Sequence, residues 1–369
     1  MLARAIVDRA AIRANAAAMR MLVLPARLAA VIKSNAYGHG LVEIGRALAE
    51  DVDRLCVYEL DEALALRAAS IRARIHVLGP VPAARIGEAI AQAIELTLWD
   101  GGAYFADLER AARAHGDPAI VHAKIDTGVT RLGMSIDAAP VLLKRYHESD
   151  AITMAGVFSH LAAAEELDAA FTDVQLERFL RLTRPLGPKI DRHIAASAAA
   201  MLFARTRLSS VRAGIALYGL WPSAQTRTSM EERGLTLQPA LRWESELVLV
   251  HDIEPDTSVG YGRTYRANNA SRIGVLPIGY AEGIPRAASN RGFVLVGGVK
   301  CPIAGRVCMN MTMIDVTDVP NAHPGTIVTL VGSDGDAHIT LDDWGTWSGS
   351  INYELAARLP EQLPRTYVN

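Results

Sequence analysis

A lysine at the end of an apolar run is the residue whose setting most strongly predicts chemistry. Lys33 follows strand-like residues, and the string VIKSNAYGHG at 31–40 then becomes polar and glycine-rich. Burial removes water from an ammonium group, lowers its pKa and makes the amine nucleophilic toward carbonyl compounds. An aldehyde cofactor such as pyridoxal 5'-phosphate is a natural partner for such an amine. The alternative is a strand-end lysine that extends its ammonium group into solvent.

An arginine inside an apolar strand is the second unusual feature. Arg212 lies in the string VRAGIALYG at 211–219. A buried guanidinium group needs a partner, because titration does not remove its charge. A structural ion pair would satisfy it, and so would the ring nitrogen of a bound cofactor. An arginine does not protonate such a ring as an aspartic acid does, so the ring would be a weaker electron sink.

The third unusual feature is a tyrosine between two glycines. Tyr261 lies in SVGYGRTY at 258–265, which predicts a tight, exposed turn. An ordinary surface turn is the usual explanation of such a pattern. A tyrosine is a weak acid, so it needs help from neighbouring groups to act as a base.

Lys124 and Arg131 bracket a fourth string, KIDTGVTR at 124–131. The planar fork of an arginine suits a carboxylate or a phenolic oxygen. The ordinary interpretation of Lys124 is a salt bridge to Asp126 or another carboxylate. His160 with Glu165 and Glu166 could suggest a metal site, but none is predicted, because no third ligand is apparent.

Composition excludes several classes of protein. The 369 residues carry 38 basic and 40 acidic side chains, well mixed, with a net charge of −2. This balance argues against a nucleic-acid or anionic-membrane partner. No apolar run is long enough to span a bilayer, and charges interrupt the start of the chain where a signal peptide is apolar. The three cysteines have no metal-ligand spacing, so we expect a cytoplasmic protein with reduced thiols.

The first part of the chain alternates strand-like and helix-like segments. Eight strands alternating with helices predict parallel β/α units, and eight is the number that closes a TIM (β/α)8 barrel. A doubly wound open sheet is the rival, but no G-x-G-x-x-G string follows the first strand. The predicted strands are 27–33, 54–60, 74–79, 94–99, 119–126, 152–160, 190–195 and 209–216.

After about residue 233 the pattern becomes β-rich and is punctuated by glycine and proline. We therefore predict an α/β barrel domain at 1–233 and an all-β, C-terminal domain at 234–369, with the boundary in the polar stretch 223–229 or soon after. The predicted strands of the second domain are 241–251, 272–279, 293–300, 302–307, 311–317 and 326–332.

The unusual polar residues fall at the carboxyl ends of the predicted barrel strands, where TIM barrels place their active sites. Phosphate often binds after strands seven and eight of such barrels. Ser197 follows the seventh predicted strand, and Gly214 and Ile215 lie on the eighth. A helix N-cap is an equally good explanation of Ser197.

These strings together resemble the alanine racemases, a family of pyridoxal-phosphate enzymes of fold-type III. The resemblance is carried by VIKSNAYGHG, KIDTGVTRLG, VRAGIALYG and GYGRTY, with GYAEG at 279–283 and GRVCMN at 305–310. The resemblance covers about residues 5 to 360, and the strings occur in the same order as in the family. It departs from the family where Asn310 and Ala196 stand, positions at which the family often has aspartate and asparagine.

The resemblance implies interconversion of L- and D-alanine by two bases, Lys33 for the D-antipode and Tyr261 of the partner subunit for the L-antipode. It implies an arginine opposite the pyridine nitrogen, a carbamylated Lys124 that orients Arg131, and a homodimer with shared active sites. His160 and Arg212 would assist Tyr261 through a relay that His193 extends. The implied cofactor contacts are Lys33, Tyr37, His160, Ser197, Arg212, Gly214, Ile215 and Tyr353. The implied substrate contacts are Arg131 and Met309, with Lys124, His193, Tyr280, Arg286 and Arg306 around them.

The resemblance also implies a role in D-alanine biosynthesis for peptidoglycan precursors. Three alternatives remain at this point. The first is a serine or broad-specificity amino-acid racemase. The second is a decarboxylase of the same fold type, which would need an acidic partner for the pyridine nitrogen. The third is a non-enzymatic pyridoxal-phosphate-binding protein, against which the long β domain with Tyr261 argues.

Overall fold

The computed structural model describes residues 2–369. The chain forms two compact units. The first, here called the barrel unit, comprises Ala11–Ala36 and Leu41–Pro239. The second, the β unit, comprises Met1–Ala10, Tyr37–Gly40 and Ala240–Asn369.

Eight parallel strands form the sheet of the barrel unit, and they coincide with the eight predicted segments. The predicted TIM-type barrel is therefore confirmed. Strands 1 to 7 pair each with the next along the chain, and strand 8 pairs with strand 1. Barrel strands 1 to 8 are Arg27–Val31, Arg54–Val57, Ile75–Val77, Glu95–Leu98, Ala119–Lys124, Ile152–Phe158, Asp191–His193 and Ser210–Ala213.

The barrel closes between strands 7 and 8 through the chain that leaves strand 7. Arg212 N donates to Ala195 O at 3.1 Å, and Ala196 forms an isolated parallel bridge with Arg212. Below this bridge, Ser209 N donates to Arg192 O at 3.0 Å. The carboxyl ends of these two strands therefore lie side by side.

Helices follow most barrel strands and bury one face each. In Ala103–His115, for example, Phe105, Leu108 and Ala112 are buried at helical spacing, which is typical of a helix packed on a sheet. The α-helices are Arg9–Val23, Leu41–Leu48, Leu60–Ala68, Ile86–Ala91, Ala103–His115, Ala139–Glu148, Ala170–Thr183, Ser197–Leu202 and Ala224–Glu231. The 3-10 helices are Ala83–Arg85, Arg184–Leu186, Ala204–Thr206 and Ile215–Tyr218.

The polar stretch 223–229 is part of a helix of the barrel unit. Ser223 caps Ala224–Glu231, because its Oγ accepts a hydrogen bond from Thr226 N at 3.1 Å. Polar composition indicated a linker here, but this composition also suits a capped, solvent-facing helix. The division between the two units falls at Pro239 and Ala240.

The main sheet of the β unit contains both ends of the chain. In sheet order its strands are Val299–Pro302, Phe293–Val296, Ile327–Asp334, Leu241–Glu246, Ala3–Asp8 and Arg365–Val368, with Ala337–Ile339 paired to Ile327–Asp334. A second sheet contains Leu249–Ile253, Ser271–Leu276 and Thr312–Asp315, and Ser258–Val259 pairs with Tyr265–Arg266.

The β unit is β-rich, as predicted, but it is not all-β. It also contains the α-helices Leu341–Ser348 and Asn352–Ala357 and the 3-10 helices Tyr261–Arg263, Tyr280–Glu282 and Arg286–Ala288. The strand predicted at 302–307 is wrong beyond Pro302, because only an isolated bridge from Ile303 to Ile314 continues it. Between residues 2 and 369, no helix combines the length and the apolar character needed to cross a bilayer.

Charged and polar side chains occupy the interior of the barrel. Arg54 on strand 2 donates to Asp191 on strand 7 at 2.8 Å, although these strands are not neighbours in the sheet. The contact therefore crosses the inside of the barrel, where a TIM barrel usually packs valine, isoleucine and leucine. Both side chains are almost fully buried.

Candidate functional site

The chain forms a left-handed turn immediately after Lys33. Ser34, Asn35, Ala36 and Tyr37 have φ values of 55°, 53°, 53° and 51°, in the left-handed region that non-glycine residues rarely adopt. Each such residue costs about 1–2 kcal/mol, and strain of this kind clusters at functional sites. Side-chain contacts hold the turn, since Asn35 Oδ1 accepts from Leu41 N at 2.8 Å.

Four cations surround the carboxyl ends of the barrel strands. The pKa of Lys33 is lowered by burial and by the charge of Arg131. The pKa of Lys124 is lowered to about 8 by burial, Arg212 and Arg131. Among residues 2–369, no carboxylate forms a salt bridge with Lys33, Lys124, Arg131 or Arg212. A cluster of unpaired cations predicts a site that binds anions.

The ordinary salt bridge considered for Lys124 is not formed. The Asp126 carboxylate instead accepts hydrogen bonds from the backbone N–H groups of Gly128, Val129, Thr130 and Arg131, at 2.6–3.1 Å. These bonds hold the pKa of Asp126 below its usual value and shape the loop that carries Arg131. Lys124 Nζ lies over the Phe158 ring, 5.0 Å from its centroid.

The structure pairs Arg212 with a histidine and backbone carbonyls instead of a carboxylate. Its Nη1 donates to His193 Nδ1 at 2.6 Å and to His193 O at 3.0 Å. Its Nη2 donates to Ser159 O at 2.7 Å and to Ile194 O at 3.2 Å. Four of the five N–H donors of the guanidinium group are thus engaged. The Nε–H remains without a partner in the described part of the chain.

The two predicted histidines differ in their contacts. His193 is fully buried and accepts directly from Arg212. The His160 ring makes no such contact with any of residues 2–369, and burial with the charges of Arg212 and Arg131 lowers its pKa to about 3. His160 is therefore neutral at physiological pH.

The predicted phosphate residues lie together beside strand 8. Ser197 Oγ accepts from Gly214 N at 3.0 Å. Ile215 begins a 3-10 helix, and the first N–H groups of a helix have no partner within it. Ser197 itself begins the helix Ser197–Leu202, but it is not its N-cap residue. The Ser197 hydroxyl hydrogen and the Ile215 N–H are neutral, buried donors that suit a phosphate, whereas the Gly214 N–H is engaged by Ser197.

Tyr37 and the glycines after it pack within the β unit. A Cβ on Gly38 would lie 2.1 Å from Ala356 O, and one on Gly40 would lie 1.8 Å from the Tyr367 hydroxyl oxygen. Neither position therefore has room for a side chain. The rings of Tyr37 and Tyr353 are neighbours, with centroids 6.5 Å apart. Burial raises the pKa of Tyr37 to about 12, so its hydroxyl is a neutral donor.

The other predicted site residues of the β unit are exposed. Tyr261 is 72% exposed on its turn, and the Arg306 guanidinium group packs beside the next residue, Gly262. The strings GYAEG at 279–283 and GRVCMN at 305–310 contact each other. Tyr280 N donates to Cys308 O at 3.0 Å, and Ala281 N donates to Met309 O at 2.9 Å. The exposed set comprises Tyr261, Tyr280, Arg286, Arg306 and Met309.

Sequence reasoning missed the residues that connect Arg212 to the rest of the barrel interior. His122 Nδ1 lies 2.9 Å from His193 Nε2, and His122 Nε2 lies 2.9 Å from Glu95 Oε2. Glu95 also forms an ion pair with Arg54. One signal was present, because Glu95 and His122 each interrupt a predicted apolar strand, as Arg212 does.

Comparison with known proteins agrees with this architecture. Residues 7–222 match the family model of the alanine racemase N-terminal domain, and residues 240–367 match that of the C-terminal domain. The alanine racemase of Beutenbergia cavernae is 39% identical over 374 residues, covering 99% of this chain and 98% of that protein. That of Methanococcus maripaludis is 36% identical over 370 residues, with 98% of both covered.

Solved structures give the same result. The alanine racemase from the D-cycloserine-producing Streptomyces lavendulae has a TM-score of 0.93 at 32% identity, covering 100% of this chain and 97% of that one. The Bacillus anthracis alanine racemase with bound L-Ala-P has a TM-score of 0.90 at 32% identity, covering 100% and 95%. The chain belongs to the alanine racemase family.

Proposed function

We propose that this protein is a pyridoxal-phosphate-dependent alanine racemase that interconverts L- and D-alanine. The observation that carries the proposal is the cluster of four cations, Lys33, Lys124, Arg131 and Arg212, without salt bridges in residues 2–369. A cofactor phosphate, its phenolic oxygen and the substrate carboxylate are the anions that such a cluster suits. Pyridoxal phosphate, when bound, withdraws electrons from the Cα of an attached amino acid and makes its α-proton acidic.

The residues of the chain fit this cofactor. Lys33 would hold its aldehyde carbon, and its lowered pKa favours the neutral amine that this bond needs. The Ser197 hydroxyl and the Ile215 N–H would hold the phosphate, with Gly214 beside them and with Tyr37 and Tyr353 as phenolic donors. His160 would line the cofactor as a neutral imidazole. The free Nε–H of Arg212 would donate to the pyridine nitrogen.

Racemisation requires a base on each face of Cα. One base takes the α-proton and the other returns a proton to the opposite face. Lys33 would serve the D-antipode and Tyr261 the L-antipode. The exposure of Tyr261 supports its action on the barrel of a second copy, so that the C-terminal domain of each chain supplies the second base to a homodimer.

The substrate carboxylate would bind Arg131 and the backbone N–H of Met309. Tyr280, Arg286 and Arg306 would surround the entrance, and His193 would hold Arg212. We assign the enzyme to the cytoplasm and to D-alanine supply for peptidoglycan precursors, with no nucleic-acid or membrane partner.

The reaction and its substrate range are tested by assaying a panel of L-amino acids for D-product, with the visible absorbance of the cofactor recorded on the same sample. We expect D-alanine to form from L-alanine. For L-serine we expect a kcat/KM lower by about tenfold or more, because a substrate that fits the pocket less well loses about 1–3 kcal/mol of transition-state binding. Equal rates for several amino acids would identify a broad-specificity racemase. Carbon dioxide release in place of D-product would identify a decarboxylase.

We expect Lys124 to react with carbon dioxide. Its neutral Nζ attacks the carbon, loses a proton and becomes an N-carboxylate, which places a negative charge beside Arg131. Only the unprotonated amine reacts, and with a pKa of about 8 the neutral fraction rises steeply between pH 6.5 and 8.5. Carbon-13 NMR with labelled bicarbonate should therefore show more carbamate at pH 8.5 than at pH 6.5.

Two variants make this test specific. Lys124→Ala should lose the carbamate signal, and acetate should restore part of its activity. Lys144→Ala is the matched control, because Lys144 is an exposed lysine whose removal should leave the signal unchanged. A wild-type protein without label at either pH, together with no rescue by acetate, would contradict carbamylation.

A further inference from the structure

A chain of hydrogen bonds runs through the barrel interior from Arg212 to Glu95. Arg212 Nη1 lies 2.6 Å from His193 Nδ1, His193 Nε2 lies 2.9 Å from His122 Nδ1, and His122 Nε2 lies 2.9 Å from Glu95 Oε2. All four side chains are at most 4% exposed. The four residues come from barrel strands 8, 7, 5 and 4.

Elementary hydrogen-bond chemistry fixes the direction of every bond in this chain. An arginine has donors only, so His193 Nδ1 must accept and His193 Nε2 must carry the proton. His193 Nε2–H then donates to His122 Nδ1, which leaves the His122 proton on Nε2. That proton points at the Glu95 carboxylate, which accepts. Both imidazoles are therefore neutral Nε2–H tautomers, and both lone pairs face toward Arg212.

Charged groups hold the Glu95 end of this chain of hydrogen bonds. Glu95 Oε1 accepts from Arg74 Nε at 2.5 Å, and Arg54 Nε lies 3.0 Å from Glu95 Oε2. Arg54 in turn contacts Asp191, which also accepts from Ser210. Glu95 is thus held as a carboxylate that can only accept. Burial, followed by the charges of Arg54 and Arg212 respectively, lowers the pKa values of His122 and His193 well below the usual value, which agrees with neutral rings.

A metal site is the rival interpretation of this cluster. One ligand atom each from His122, Asp191 and His193 lies within 4.8 Å of the others. The same ring nitrogens already bond to one another, to Glu95 and to Arg212, and Asp191 is paired with Arg54. The arrangement is therefore a completed hydrogen-bond network.

We infer that Glu95 is a positioning residue for the reaction: it orders the tautomers of His122 and His193 so that His193 accepts from Arg212. This holds the guanidinium group with its Nε–H free. The inference rests on the proposed function, in which that Nε–H faces the pyridine nitrogen. Glu95 touches neither cofactor nor substrate, so its effect passes through the two imidazoles.

The tautomers can be measured directly. Long-range proton–nitrogen NMR of histidine-labelled holoenzyme distinguishes Nδ1–H, Nε2–H and doubly protonated rings. We expect two neutral Nε2–H rings, assigned to His122 and His193 by their loss in His122→Gln and His193→Gln. A doubly protonated ring or an Nδ1–H tautomer at His193 would overturn the inference, whatever the activity of the enzyme.

Variants of Glu95 test its consequence. In Glu95→Gln the amide introduces a donor where the network needs acceptors, so a second tautomer should appear in the NMR spectrum. We expect kcat to fall about tenfold, which corresponds to the free energy of one hydrogen bond to a charged group. The KM for alanine should change less than about twofold. By-product from transamination per turnover should rise, because a ring nitrogen that Arg212 no longer holds would make the cofactor a stronger electron sink. Glu95→Asp keeps the carboxylate and should return tautomers and by-product toward wild type.

Thr97→Val is the matched control for loss of a buried hydrogen bond. Thr97 shares a strand with Glu95, but its hydroxyl forms hydrogen bonds with His76 and Val77 O, which are not part of the Arg212–Glu95 network. This variant should be less stable, with unchanged tautomers, kcat and by-product. If Glu95→Gln behaves in the same way, Glu95 has only a structural role. Arg212→Glu tests the contact to the ring nitrogen separately: if its by-product yield equals wild type, the placement of Arg212 fails while the measured tautomers still stand.

Discussion

Lys33→Ala should abolish racemisation and the covalent link to the cofactor. The substitution removes both the amine that binds the aldehyde and one of the two bases. General acid–base catalysis alone contributes about 10²–10⁴-fold, so we expect kcat to fall by at least about 10⁴-fold. The measurement is D-alanine formation, with cofactor absorbance recorded before and after borohydride reduction.

The control for this prediction is another lysine. Lys144→Ala removes an exposed side chain of the barrel unit and should retain wild-type activity. Circular dichroism should show that Lys33→Ala folds normally, because no described residue forms a salt bridge with Lys33. Substantial activity of Lys33→Ala without added amine would exclude Lys33 as base and cofactor ligand.

Mixing two inactive variants should restore about a quarter of wild-type activity. We expect Lys33→Ala to lack one base and Tyr261→Phe to lack the other, each with little activity of its own. In a two-fold dimer with shared sites, random exchange makes half of the dimers hybrids. Each hybrid has one intact site and one doubly defective site, so about a quarter of all sites become active.

The same experiment has a clear negative outcome. If Lys33 and Tyr261 of one chain act together, every site stays defective and mixing restores nothing. Self-mixed samples of each variant are the controls for residual activity. Light scattering before and after exchange establishes that dimers are present, so that a failure to restore activity counts against shared sites and not against assembly.

The barrel could be predicted from sequence because its strands are local signals. Short apolar runs bounded by polar residues occur at regular spacing, and all eight pair in the sheet. The strand Ala3–Asp8 was missed because its partners, Leu241–Glu246 and Arg365–Val368, lie far along the chain. The helices of the β unit were missed because the strand pattern around them dominated the interpretation.

The candidate site was predicted in its residue types but not in its contacts. The unusual setting of Arg212 was visible, whereas its partner was not, because a sequence does not reveal which side chains meet across a barrel. Glu95 and His122 interrupt apolar strands in the same way, and only their contacts distinguish them from ordinary buried residues. The left-handed turn after Lys33 has no sequence signal, since three of its four residues are not types that favour positive φ.

The strand Ala3–Asp8 has a consequence for the order in which the protein assembles. It is synthesised before the barrel unit, yet both of its partner strands come after the last residue of that unit, Pro239. At about 5–20 residues per second, a ribosome needs on the order of ten seconds or more to reach the first partner. During synthesis the barrel can complete its own sheet while the amino-terminal strand is still an open edge, and the charged Arg4 and Asp8 in that strand oppose its pairing with other nascent chains.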